Sequence, residues 1–108
     1  MLTTQEAAKL KRELDQEDST IAVMFSALGD RSRFRIFKLL MDHTDLCVTD
    51  IAMVLGITVP AASQQLKLLE GSGLIEPERE GQMICYRIRA LDPVVRTVMR
   101  TVAQLASG

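Results

Sequence analysis

The chain has 108 residues, 47% of them apolar, with 13 basic against 14 acidic side chains and a net charge of −1. That length supports one domain (1–108), and three Phe, one Tyr and no Trp imply a mainly helical core of Leu, Ile, Val, Ala and Met. No apolar run approaches the roughly 20 residues that cross a bilayer, the start TTQEAAKLKRELDQED is too charged for a signal peptide, and two Cys make no disulfide framework, so a cytoplasmic setting without a membrane partner is expected.

Helical propensity over residues 5–17 puts Ala7, Leu10 and Leu14 on one stripe. After a break at Asp18-Ser19, with Ser19 as the cap, Ile21, Met24, Phe25 and Leu28 repeat at i, i+3, i+4, i+7 and stop at Gly29. Asp30 caps a third helix. Its main buried stripe is Phe34, Phe37, Leu40 and Met41, widened by Ile36 and Leu39, and it ends at His43-Thr44-Asp45. Leu46-Cys47-Val48 is too short for a helix and reads as an extended segment able to pair with a later strand.

Residues 49–70 read as helix, turn and helix. Thr49 is the expected N-cap, Ile51, Ala52 and Leu55 repeat at helical spacing, and Gly56 can take the positive φ of a tight turn. Thr58 caps the second helix, Pro60 fits its first turn, and Leu66 and Leu69 face inward. Pro60, Ala61, Ser63, Gln64 and Lys67 are left outside, small or hydrogen-bonding residues suited to base edges and phosphates. Gly73 closes this helix, and residues 74–89 form a hairpin with Glu80-Gly81 at its tip, in which Ile84, Tyr86 and Ile88 alternate inward against Cys85, Arg87 and Arg89. The fold class is therefore mainly α with a small β-hairpin, a winged helix-turn-helix. Candidate DNA contacts are Thr58, Pro60, Ala61, Ser63, Gln64, Gln65 and Lys67 on the second helix and Arg79 and Gln82 on the wing.

The balanced charge is not that of a strongly basic DNA binder. Residues 1–30 nevertheless carry three basic and six acidic groups, and residues 31–108 ten basic and eight acidic, so the helix-turn-helix and wing are slightly positive. Arg31, Arg33, Arg35, Arg87 and Arg89 could extend a local patch, or simply be solvated surface.

A last helix over 91–106 carries Leu91, Val94 or Val95, Val98, Val102 and Leu105 every three or four residues. Two readings stand: a helix folded onto its own core, or one face of a homodimer. The favoured dimer surface is Leu10, Leu14, Val94, Val98, Val102 and Leu105.

From Phe25 to Leu40, FSALGDRSRFRIFKLL fits F-x-A-L-x-D-x-x-R-x-x-I-L-x-x-L, and Thr58, Pro60, Ser63, Gln65, Leu66 and Leu69 follow S-x-P-x-x-S-x-H-L-x-x-L. Over about residues 24–89, with LCVTDIAMVLG and EREGQMICYRI, the chain resembles the ArsR family of small bacterial winged-helix repressors. Gln65 replaces the usual His, and Gln64 stands where many members carry Arg. The resemblance implies a homodimer that occupies an inverted-repeat operator in double-stranded DNA and leaves it when an effector arrives, commonly a metal ion.

The family's metal sites are poorly matched. Cys47-Val48-Thr49-Asp50-Ile51 stands where soft-metal sensors carry C-V-C-D-L, and one remaining thiolate cannot close that site. The last helix has Asp92 but no His, and His43, the only histidine, suits a helix C-terminus. No metal and no cofactor are expected, and the effector is left open. Cys47 and Cys85 are either small buried hydrophobes or a thiol sensor. Pairing of 46–48 with 83–88 would bring them near each other, with Cys85 pointing outward if Tyr86 and Ile88 point in. A protein-interaction winged helix is the alternative to a DNA reader. An enzyme is not expected, since no cysteine–histidine pair or phosphate-cradling loop assembles a site.

Overall fold

A computed structural model describes residues Met1–Ser107. The element order is α1 (Thr4–Asp15), α2 (Thr20–Leu28), α3 (Arg31–Asp42), β1 (Leu46–Cys47), α4 (Val48–Leu55), α5 (Val59–Gly71), β2 (Ile75–Glu80), β3 (Met83–Ile88) and α6 (Pro93–Ser107). The strands make one antiparallel sheet in the order β1-β3-β2, with Cys47 opposite Cys85 and Ile75 opposite Ile88.

The helix ends follow side-chain chemistry, with two departures from the sequence reading. Asp30 Oδ2 accepts from the Arg33 amide at 3.0 Å, as expected. At α2 the Ser19 hydroxyl makes no capping bond, and Asp18 Oδ1 takes the Thr20 amide at 2.9 Å. At α4 the cap is Cys47 rather than Thr49, because Asp50 Oδ2 accepts from the Cys47 amide at 2.9 Å and so starts the helix two residues early. Gly56 sits at φ 69°, the left-handed conformation open to glycine at little cost, and turns the chain so that α4 and α5 meet at 110°.

The core forms where α2, α3, α4, α5, the sheet and α6 meet. Ile36, Phe37, Ile51, Ala62, Leu66, Leu69, Leu74 and Val95 are fully enclosed, with Tyr86 and Ile88 entering from the sheet. Two inward assignments are corrected by the packing. On α2, Met24 and Ala27 are buried while Phe25 is 63% exposed, and on α3 Ile36 replaces Phe34 in the core. Each helix has two apolar faces, and only the packed neighbours decide which one the chain uses for itself. Ile84, expected inward, is exposed near the wing tip beyond the reach of the core. The turn joining β2 to β3 is Gly81-Gln82, one residue later than Glu80-Gly81.

No residue of α1 is buried. Among the described residues, no single helix is long and apolar enough to cross a membrane.

Candidate nucleic-acid interface and cysteine pair

Helix α5 is held from beneath by Ala62, Leu66 and Leu69, which aims the opposite side of the helix at solvent. Pro60, Ser63, Gln64 and Lys67 line a shallow cleft along that side. The Thr58 hydroxyl accepts from the Ala61 amide at 3.2 Å and is occupied in holding the helix end. Gln65 is turned away from the outer row. Its Oε1 accepts from Arg33 Nη1 at 3.2 Å, while Arg33 Nε donates to the Ala27 carbonyl at 2.8 Å. Arg33 thus joins α2, α3 and α5 and is not available as a phosphate contact.

The wing shows a similar division. Arg87 is held by Glu76 at 2.9 Å and Glu78 at 3.4 Å, and Arg89 by the Gly73 carbonyl at 3.0 Å and Asp92 at 3.7 Å. Arg79 and Gln82, near the tip, are exposed, and neither Arg79 nor Lys67 has an ion-pair partner among the described residues. The cations with no protein anion to satisfy them therefore include one on the outer face of α5 and one on the wing. Tyr86 ties these two parts together, its hydroxyl donating to Glu70 Oε1 at 3.1 Å. Burial of the phenol, reinforced by that carboxylate, pushes its pKa up to about 12.

Cys47 and Cys85 lie directly opposite each other and are joined as a disulfide. Strand alternation puts Cys85 on the sheet face away from Tyr86, as the pattern implied, but it is not exposed there: Cys47 retains 6% and Cys85 3% of its accessible surface. Glu80 Oε2 stands 3.3 Å from Cys85 Sγ. Sequence reasoning missed Glu80, because it reaches the pair only through the hairpin register. His43 forms the end of α3, its amide donating to the Leu39 carbonyl at 2.9 Å.

An apolar groove of about 590 Å³ runs between α6 and the α2–α3 corner, lined by Ile21, Phe25, Leu28, Phe34, Val94, Val98 and Leu105 among others. The last helix is divided, and Val102, expected on the dimer surface, is instead buried in its own chain. Val95 and Val102 enter the core of their own chain, whereas Val94 and Leu105 stay exposed, as do Leu10 and Leu14 on α1.

Residues 30–76 match the family described as "Bacterial regulatory protein, arsR family". An HTH-type transcriptional regulator of Methanocaldococcus jannaschii is 32% identical over 84 residues, covering 78% of this chain and 92% of the relative. The chain belongs to the ArsR family. The cadmium resistance transcriptional regulatory protein CadC homolog of Staphylococcus aureus is 32% identical to this ArsR-family chain over 73 residues, which span 68% of the chain but only 60% of that relative. Among solved structures, the homodimeric winged helix-turn-helix DNA-binding domain of a possible ArsR-family regulator from Mycobacterium bovis superposes with a TM-score of 0.70 at 28% identity, over 99% of this chain and 89% of that one. Cys85 and Glu80 stand outside the residues that match the family description.

Proposed function

We propose that this chain is a homodimeric transcriptional repressor that binds an inverted-repeat operator in double-stranded DNA. The observation that carries the reading is the pairing pattern of its cations. Arg33 at the helix corner and Arg87 and Arg89 on the wing are committed to protein partners, whereas Lys67 on α5, in line with half-buried Ser63 and exposed Gln64, and Arg79 on the wing are not. Helix α5 would enter a major groove, Gln64 would pair with the N6 and N7 edge of an adenine, and Lys67 and Arg79 would meet phosphates on either side. The apolar groove and the exposed face of α1 support a second copy of the chain as the partner, which would set two α5 helices about one DNA turn, roughly 34 Å, or a multiple of it apart.

Release from the operator is assigned to the cysteines. Two thiols lose two protons and two electrons to a low-molecular-weight disulfide, which leaves as two thiols, and the Cys47–Cys85 bond closes. That bond ties the start of α4 to the wing strand β3 and fixes the wing relative to the reading helix.

The test is operator binding by the reduced and oxidised protein over a range of salt concentrations. Reduced wild type is expected to bind with a steep salt dependence and the oxidised form at least about fivefold more weakly, the lower end of ordinary coupling between sites. Cys47→Ser and Cys85→Ser should abolish the difference. Binding that ignores salt would favour a protein-interaction module, and equal affinity of both redox forms would remove the thiol switch.

A further inference from the structure

Glu80, Cys47 and Cys85 come from β2, β1 and β3, and their ligand atoms all lie within 4.8 Å of one another. Cys47 and Cys85 are 38 residues apart in sequence, and the register that opposes them also sets Glu78 across from Cys85 and Glu80 two residues further along the same face. The other acids nearby are engaged. Asp50 holds the Cys47 amide at 2.9 Å, and Glu76 and Glu78 hold Arg87 at 2.9 and 3.4 Å. Among the described residues Glu80 has no cationic partner, and its carboxylate faces Cys85 Sγ at 3.3 Å. It is also exposed, so the cluster is buried on the sulfur side and open on the carboxylate side.

Reduction of the disulfide leaves two thiols beside this carboxylate. Ionising both would place three negative charges in one small volume, and Arg87, the cation two residues along the same face of β3, is already held by Glu76 and Glu78. A divalent cation resolves this: it takes two thiolates and the carboxylate, two protons leave, and a water can complete a tetrahedron. Thiolate sulfur selects zinc-like and cadmium-like ions over calcium or magnesium, whose preferred ligands are all oxygen. We propose that the reduced wing sheet binds one thiophilic divalent cation through Cys47, Cys85 and Glu80. The proposal rests on the reading of the cysteines as a reversible pair, and it makes metal and disulfide mutually exclusive occupants of the same sulfurs.

The experiment needs no DNA, so it fails or succeeds apart from the operator reading. Full-length protein, reduced and kept anaerobic, is titrated with cadmium while the ultraviolet sulfur-to-metal charge-transfer absorption is followed. Zinc stoichiometry is read by native mass spectrometry. One ion per protomer and release of two protons per ion are expected, with no binding after oxidation. Cys47→Ser and Cys85→Ser should lose the charge-transfer band. Glu80→Gln, at an exposed position that leaves the fold intact by circular dichroism, should keep the band but weaken affinity at least about tenfold, since loss of even an outer-shell partner costs that much. Absence of the band in reduced wild type, or unchanged affinity in Glu80→Gln, would overturn the site.

Discussion

Arg33 Nη1 donates to Gln65 Oε1 at 3.2 Å, so one of two adjacent glutamines on α5 is spent on holding that helix in place and only Gln64 is left on its exposed side. Two side chains of the same type thereby acquire different work. Arg33→Ala removes charge-assisted bonds to both Gln65 and the Ala27 carbonyl from a largely buried position. It should cost about 1.5–3 kcal/mol in urea denaturation. Gln65→Ala should cost about 1 kcal/mol and leave base preference unchanged, whereas Gln64→Ala should relax preference at one base pair per half-site by about 1–3 kcal/mol with little change in stability.

The paired and unpaired cations make different demands on salt. Lys67→Ala and Arg79→Ala should each flatten the log-log dependence of operator affinity on salt by about 0.9 for every phosphate left without its cation. Arg87→Ala, whose guanidinium is held by Glu76 and Glu78, should leave that slope unchanged. A flattened slope in Arg87→Ala would mean that the wing ion pairs open on DNA.

The groove between α2 and α6 can be separated from the core beneath it. Leu105 is 79% exposed, so Leu105→Glu should leave the chain folded. With the groove as the dimer surface, that variant should sediment as a monomer at micromolar concentration and lose operator affinity. Val102→Glu places a carboxylate in the core and should unfold the chain instead.

Alkaline stability depends on Tyr86. Its folded-state pKa is raised to about 12 from an ordinary value near 10, so between these values the unfolded chain ionises the phenol first and gains relative to the native one. The stabilisation is complete below pH 10 and is lost as pH rises towards 12. Tyr86→Phe should be less stable at neutral pH through loss of the bond to Glu70, and its stability should fall less steeply over that alkaline interval in thermal melts.

The local signals were sufficient for α5 and the turn before it. Thr58, Pro60 and Gly56 act within a few residues of themselves, where capping, ring geometry and left-handed backbone leave few alternatives. The same holds for the alternation that identified β3. Periodicity could not choose between the two apolar faces of α2 and α3, because Phe25 and Phe34 repeat as regularly as Met24 and Ile36. The choice depends on which face meets the rest of the chain. Nor could sequence show that Gln65 meets Arg33, that Arg87 and Arg89 are neutralised, or that Glu80 stands beside the cysteines. Those contacts join residues far apart along the chain, and only tertiary packing and a register good to one residue bring them together.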